Sequence, residues 1–176
     1  MMIDPVFNWI IALALIQLFA SAAWHKSRNI SDFSQIIASY QVLPNTNKAS
    51  AALSIIVTEV ITAALLMIPS TRATGAALVA ALLLGYALVM AINLLRNRRL
   101  LDCGCHFGQK KQSISWLLVV RNIAIATMAL LLFLPMQTRT MNIFDMGIVL
   151  FGLSLSSMIY VIANELSRNH ELLKNG

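Results

Sequence analysis

The chain has 176 residues, of which 59% are hydrophobic and only 11% are charged, and its mean hydropathy is +0.76. Soluble domains carry about 25% charged residues, so this composition excludes an ordinary water-soluble domain and favours a protein that crosses a membrane several times. The net charge of +6 does not indicate nucleic-acid binding, because Lys and Arg accumulate in the loops that flank membrane helices.

Several apolar runs reach the roughly 20 residues that a helix needs to cross a bilayer. Pro5 suits the start of the first of them, and the residues before it show no basic region or cleavage site, so we expect an uncleaved first span. Residues 30–43 place apolar side chains at helical spacing and predict a short amphipathic helix at the membrane surface. The sequence therefore predicts an all-α polytopic membrane bundle of one domain, residues 1–176, with spans at about 6–24, 49–68, 73–95, 114–134 and 143–163.

Basic residues are divided unequally between the two sides of this bundle. One side carries only Arg72 and Arg139, whereas the side with the loop between the third and fourth spans carries many. We expect a protein of the bacterial inner membrane. The positive-inside rule predicts that its N-terminus lies outside and that this loop and the C-terminus lie on the cytoplasmic side. The basic residues on the loop side are Lys26, Arg28, Lys48, Arg96, Arg98, Arg99, Lys110, Lys111, Arg168 and Lys174.

The same loop, residues 96–113, holds the only two cysteines of the chain, Cys103 and Cys105. Gly104 between them allows the sharp bend that a disulfide between such close neighbours requires, and strained, exposed disulfides are easily reduced. Nearby cations favour the reactive thiolate. The pattern predicts a redox-active dithiol, supported by basic neighbours that include Arg98, Arg99, His106, Lys110 and Lys111.

Two other interpretations of the cysteine pair are open. A zinc site needs about four ligands and usually a C-x₂₋₄-C spacing, but only His106 and Asp102 stand nearby as further ligands, so we predict no metal. Inert cysteines are the second alternative, although inert thiols usually lie in apolar surroundings and this loop is basic.

Charged residues also occur inside the predicted spans. Glu59 lies near the middle of the second span, and Arg121, followed by Asn122, lies about two turns into the fourth. A carboxylate at that depth usually faces the bundle interior and has a partner, and Glu59 and Arg121 reach comparable depths when counted at about 1.5 Å per residue. The sequence predicts an ion pair between them, either as a tie between helices or as a functional element.

Polar side chains recur at helical spacing on three further spans and run toward the cysteine side. Hydrogen bonding between helices explains each stripe alone, but their convergence with Glu59, Arg121 and the cysteines predicts a polar pocket. Such a pocket could hold a quinone headgroup, a partner peptide or water. The stripes are Gln17, Ser21, Trp24 and His25, then Tyr86, Met90 and Asn93, and finally Ser157, Tyr160 and Asn164.

Residues Leu101 to Gly108, LDCGCHFG, followed by a span with Arg121-Asn122, resemble the methylamine utilisation protein MauE family of DoxX-like membrane proteins with about five spans. His106 departs from that family's pattern, in which Phe-Gly follows the second cysteine. The likeness covers nearly the whole chain and includes Trp24-His25-Lys26, the segment Tyr40-Gln41-Val42-Leu43-Pro44, and Glu59 ahead of Leu66-Met67-Ile68-Pro69.

This resemblance implies a role in maturing methylamine dehydrogenase, an exported enzyme whose small subunit carries tryptophan tryptophylquinone and many disulfides. It also implies a thioredoxin-like partner, MauD, with which Cys103 and Cys105 would exchange electrons or disulfides. An alternative from another class is a non-enzymatic scaffold or transport subunit that stabilises a partner protein. A client outside the cell conflicts with a cytoplasmic cysteine loop. The candidate supporting residues are His106, Arg99, Glu59, Arg121, Asn122, Trp24 and His25.

Overall fold

A computed structural model describes residues 2–41, 47–98 and 114–175, except for the side chains of residues 167, 168 and 170–175. Five of the described helices are long and apolar enough to cross a membrane, and one short helix lies between the first two of them. The prediction of an all-α bundle with five spans and one short additional helix is confirmed. The helices are α1 (Pro5–Arg28), α2 (Ile30–Ser39), α3 (Lys48–Met67), α4 (Arg72–Leu95), α5 (Trp116–Leu130) and α6 (Ile143–Asn175).

The first helix begins where the sequence predicts it. Pro5 is its first residue, and the Asp4 side chain accepts a hydrogen bond from the Val6 amide at 2.9 Å, which satisfies one of the free donors at the helix start. Arg139 donates to Asp4 at 3.3 Å and to Asp145 at 3.1 Å. The hydrogen bond to Asp145 raises the pKa of the Arg139 guanidinium. These contacts connect the start of α1 to the start of α6.

Helices α1, α3, α4 and α5 form the central bundle, in which α4 packs against α5 and α1 packs against α3. Their spans are 33–39% buried, whereas the span of α6 is only 6% buried and packs chiefly on α1. Helix α6 is therefore a peripheral element beside the bundle. Among the described residues, the largest apolar cluster joins α1, α3, α4, α5 and the short turn after α5. Its buried members are Leu15, Phe19, Ala63, Leu66, Ala76, Val79, Leu83, Ala126, Ala129 and Leu132.

The turn between α3 and α4 is tight and contains a buried arginine. A Cβ on Gly75 would lie 3.1 Å from the Leu66 backbone nitrogen, so glycine permits the close approach of the two helices. Arg72 is 3% exposed, and its Nε donates to the Leu66 carbonyl at 3.1 Å. The charge of Arg72 therefore lies at the carbonyl end of α3, where a cation is stabilised.

The surface helix α2 packs against α3 and leads toward the end of α4. Helix α4 ends in a Schellman motif, in which Asn97 has a φ of 56° and the Arg98 amide donates to the Asn93 carbonyl at 3.0 Å. Arg98 also donates from Nη1 to the Gln41 side chain. The chain therefore leaves α4 next to the end of α2 before it enters the segment 99–113.

Candidate functional site: a buried ion-pair cluster

The most polar group inside the bundle is an ion pair between α1 and α3. Lys26 Nζ lies 2.5 Å from Glu59 Oε1. The two side chains are only 3% and 1% exposed. Charges placed in a low-dielectric interior are stable only when they are paired and hydrogen-bonded, so each of these residues depends on the other.

A third helix contributes to the same group. The Tyr86 hydroxyl on α4 donates to Glu59 Oε1 at 2.7 Å and accepts from Lys26 Nζ at 3.2 Å. The Lys26 ammonium also lies 4.8 Å from the centroid of the Tyr86 ring and 4.9 Å from that of Phe33 on α2, distances at which a cation is attracted to a ring face. We call Lys26, Phe33, Glu59 and Tyr86 the ion-pair cluster.

Helical spacing explains why Lys26 points inward. The buried face of α1 runs through Ala12, Leu15, Phe19 and Ala23 and continues to Lys26. Side chains on a helix lean toward its N-terminus, so a lysine in the last turn of α1 leans back into the bundle. The same logic places Glu59 on the buried face of α3, between Ile56 and Thr62.

The predicted pair between Glu59 and Arg121 is wrong. Arg121 on α5 donates from Nη1 to Asn164 Oδ1 on α6, and its guanidinium lies 5.3 Å from the Tyr160 ring. Glu59 is bound instead by Lys26. Equal depth does not fix the direction of a side chain, and Arg121 turns toward the periphery of the bundle.

The other predicted supporting residues differ in their surroundings. Asn122 is 2% exposed, and its Nδ2 has no hydrogen-bond acceptor within the described part of the chain. Trp24 is 66% exposed, and the Arg28 guanidinium lies 5.6 Å from its ring, while His25 is half-buried. Trp24 therefore faces away from the ion-pair cluster, as expected for an aromatic residue at a membrane interface.

Among the described residues, members of the three predicted polar stripes take part in different hydrogen bonds, and the cysteine side of the predicted pocket lies outside the described residues. Tyr86 joins the ion-pair cluster, whereas Asn93 donates to the carbonyls of Val89 and Tyr40 at 3.0 and 3.4 Å. Ser157 donates to Gln17 Oε1 at 2.9 Å. In the described part of the chain, these contacts lie at three places: inside the central bundle, under the end of α2 and along α6.

The predicted dithiol cannot be placed relative to these groups, since Cys103, Cys105, His106 and Arg99 lie outside the described residues. In the ranges that are described, no three His, Cys, Asp or Glu side chains come together as metal ligands. The chemistry that the described part offers is that of a carboxylate, an ammonium and a phenol in direct hydrogen-bond contact, with Glu59 Oε2 buried and without a partner among the described groups.

Lys26 is not among the predicted site residues, because a cation at the end of the first span is expected on the water side of the membrane. Two features of the sequence indicate that Lys26 is a site residue. Lys26 continues the buried face of α1 at a spacing of three residues from Ala23. It also stands in the segment Trp24-His25-Lys26 that carries part of the family resemblance.

Five helices that are long and apolar enough to cross a membrane, with a buried ion pair between two of them, define a multi-pass helical membrane protein. The sequence matches the profile of the methylamine utilisation protein MauE over residues 4–135, which contain the central bundle and the whole ion-pair cluster. This chain belongs to the MauE family.

Individual relatives agree with this assignment. The chain is 37% identical over 129 residues to the methylamine utilization protein MauE of Paracoccus denitrificans, covering 73% of this chain and 69% of that protein. It is 38% identical over 127 residues to the MauE of Paracoccus versutus, covering 72% and 68%. It is 31% identical over 166 residues to that of Methylorubrum extorquens, covering 93% and 89%. No solved structure matches the chain significantly.

Proposed function

We propose that this chain is an accessory membrane protein of methylamine utilisation whose Cys103–Cys105 pair exchanges electrons or disulfides with a thioredoxin-like protein of the MauD kind. The exchange serves the maturation of an exported enzyme, the small subunit of methylamine dehydrogenase. Membership of the MauE family carries this proposal, together with the position of the only two cysteines in one basic loop between two spans.

The exchange needs no other reactant. A thiolate of the pair attacks one sulfur of the partner disulfide and forms a mixed disulfide, and the second thiol then displaces the partner. This chain loses two electrons and two protons and gains the Cys103–Cys105 bond, while the partner gains a dithiol. The basic residues around the pair favour the attacking thiolate.

The described ends of the loop support this role because both are fixed to the bundle. On one side, Arg98 donates to Gln41, and its amide closes the Schellman motif of α4. On the other side, Ile114 is 1% exposed and Ser115 is 4% exposed. The described residues that enter and leave the loop are therefore fixed in position relative to the bundle.

We further propose that the N-terminus lies outside the inner membrane and the cysteine loop lies in the cytoplasm, because basic residues are concentrated on the loop side. Labelling of intact cells with a membrane-impermeant maleimide tests this orientation. Protection in intact cells and labelling after permeabilisation are expected. Labelling without permeabilisation would place the pair on the side of the exported client.

The exchange itself is tested with the variant Cys103→Ser, Cys105→Ser. We expect this variant to fold and to insert normally but to leave the client subunit without its correct disulfides. In the wild-type protein, alkylation across a graded thiol redox buffer should show one two-electron transition. Normal maturation of the client by the double variant would favour a non-enzymatic scaffold, and stoichiometric zinc in the purified protein would favour a metal site.

A further inference from the structure

Helix α2 lies at the end of the bundle where α1 ends and α3 begins. One residue, Asn29, separates α2 from α1. Phe33 of α2 is 8% exposed and forms an apolar cluster with Ala23 of α1 and with Ala52 and Ile56 of α3. Ala23 lies five residues before the end of α1, and Ala52 lies four residues after the start of α3. The Phe33 ring therefore covers the same end of both helices.

The Phe33 ring also contacts a buried charge. The Lys26 ammonium lies 4.9 Å from the centroid of this ring and 4.8 Å from that of Tyr86 on α4. Lys26 is the third residue from the end of α1, a position from which a lysine usually extends into water, yet its side chain is only 3% exposed. Phe33 therefore covers both an apolar cluster and a cation that lies close to the end of its helix.

Helix α2 is attached to the bundle at few points. Only two of its ten residues are buried, and no side chain caps its start. Just beyond its other end, the Tyr40 carbonyl accepts from Asn93 Nδ2 at 3.4 Å, and the Gln41 side chain accepts from Arg98. Segments with few buried contacts open locally at a lower free energy than the core of a protein. Helix α2 can therefore lift from the bundle at its first turns without unfolding the other helices.

We propose that α2 is a lid over the ion-pair cluster, that the attraction between the Lys26 ammonium and the Phe33 ring holds it closed, and that its opening admits water to the cluster. In the closed state, Glu59 Oε1 accepts from Lys26 and Tyr86, while Oε2 is buried without a partner among the described groups. A buried carboxylate oxygen gains hydrogen bonds when water reaches it. Hydration of Oε2 therefore favours the open lid, and the contacts of Phe33 favour the closed one. The lid acts independently of the thiol exchange proposed above.

The charge of Lys26 distinguishes this lid from ordinary apolar packing. A cation over a ring face changes an equilibrium by about twofold to thirtyfold, whereas the apolar neighbours of Phe33 contact it whether or not a charge lies nearby. The double variant Lys26→Met, Glu59→Leu removes both charges together and keeps the interior packed, as apolar replacement of a buried pair allows. In this background Phe33 retains its apolar neighbours but has no ammonium beside it.

Hydrogen exchange of the α2 amides, measured by mass spectrometry on the full-length protein in nanodiscs, tests the role of the charge. Phe33→Leu should accelerate this exchange by a factor that is about twofold to thirtyfold larger in the wild-type background than in the Lys26→Met, Glu59→Leu background. Arg28→Met, which removes an exposed cation from the end of α1, is the control background, where Phe33→Leu should act as in the wild type. An equal effect of Phe33→Leu in all three backgrounds would overturn the proposal, because Phe33 would then act by apolar packing alone.

A cysteine beneath α2 tests whether opening of the lid admits water. Ala52→Cys, in a background with Cys103→Ser and Cys105→Ser, places a thiol at a position that is 0% exposed and lies in the same apolar cluster as Phe33. A water-soluble maleimide should modify this thiol faster when Phe33→Leu is added, in the same proportion as the α2 amides exchange faster. Ala63→Cys is the matched control, because Ala63 is also buried on α3 but belongs to the central apolar cluster, and its rate of modification should not change.

The protein without a substitution in α2 provides a further measurement, in case Phe33→Leu does not fold. The α2 amides should exchange together and faster than the amides in the middle of α3, because the lid opens as one unit. Exchange of α2 at the rate of α3 would overturn the proposal, since α2 would then move only when the bundle unfolds. Faster α2 exchange in Phe33→Leu without faster modification of Ala52→Cys would also overturn it, because the moving helix would not cover the interior.

Discussion

The ammonium of Lys26 and the carboxylate of Glu59 lie 2.5 Å apart inside the central bundle, where their side chains are 3% and 1% exposed. The two residues are 33 positions apart in the sequence and belong to α1 and α3. Tyr86 adds α4 through hydrogen bonds to both residues. One polar group thus connects three of the four central helices.

The first prediction concerns the mutual dependence of the two charges. Lys26→Met should lower the free energy of unfolding by about 3–5 kcal/mol, because Glu59 is left as an uncompensated buried charge. The double variant Lys26→Met, Glu59→Leu should recover most of this loss, since well-packed apolar residues can replace a buried pair. Unfolding of the detergent-solubilised protein by graded SDS measures these changes.

Two controls belong to this experiment. Arg28→Met removes an exposed cation two residues further along α1 and should change the free energy of unfolding by less than about 0.5 kcal/mol. Glu59→Gln and Arg121→Gln should be additive within about 0.3–0.5 kcal/mol, because these residues share no partner. Strong coupling between Glu59 and Arg121, or none between Lys26 and Glu59, would contradict the pairing of Glu59 with Lys26.

The second prediction separates the hydroxyl of Tyr86 from its ring. Tyr86→Phe removes the donor to Glu59 but keeps the ring beside the Lys26 ammonium, and it should cost about 1.5–3 kcal/mol, as expected for a hydrogen bond to a charged group. Tyr86→Leu should cost more, because the cation–π contact is lost as well. The same SDS titration measures both variants, and equal stability of the two would show that the ring contributes nothing to holding the ammonium.

The sequence predicts the helices more reliably than the contacts between their charges. Span length and hydropathy depend on local composition, so the five spans could be located from the sequence alone. The partner of Glu59 depends on which way a side chain points, and depth along a helix does not give this direction. The alignment of Lys26 with Ala23, Phe19 and Leu15 does give it, because burial follows the helical period.

The stripe on α6 illustrates the same difference. Helical spacing places Ser157, Tyr160 and Asn164 on one face of α6, and Ser157 and Asn164 make hydrogen bonds to neighbouring helices. Their partners, Gln17 and Arg121, could not be assigned, since the position of α6 beside α1 is a property of the packed bundle. Helical periodicity therefore identifies the face that carries contacts, but packing decides which helix receives them.

The third prediction tests whether the ion-pair cluster recognises an ammonium group as such. Lys26→Ala removes a propylammonium-sized part of the side chain from between Phe33, Tyr86 and Glu59. Added propylammonium should raise the melting temperature of this variant, because it restores the ion pair and both ring contacts. Tetramethylammonium should have no such effect, since it has no N–H donor for Glu59.

Thermal unfolding in detergent at fixed ionic strength measures this rescue, with sodium ions in place of the alkylammonium as the reference. Arg28→Ala provides the matched control, because its side chain is exposed and leaves no buried space. The same increase in melting temperature for Arg28→Ala would mean that propylammonium acts on the detergent or on the surface. In that case the contacts around Lys26 would not explain the effect.

The last prediction concerns the packing of α6 against α1. A Cβ placed on Gly152 would lie 2.7 Å from Ile10 Cδ1, whereas Gly147 on the same helix has nothing within 4 Å among the described atoms. Gly152→Leu should therefore push α6 away from α1 and break the Ser157–Gln17 hydrogen bond, while Gly147→Leu should be tolerated.

Cysteines introduced as Gln17→Cys and Ser157→Cys, in a background with Cys103→Ser and Cys105→Ser, report the contact between α1 and α6 by oxidative cross-linking. We expect efficient cross-linking in this background and with Gly147→Leu, and a large loss with Gly152→Leu. Equal cross-linking in the two leucine variants would mean that Ile10 moves aside and that Gly152 does not determine the position of α6.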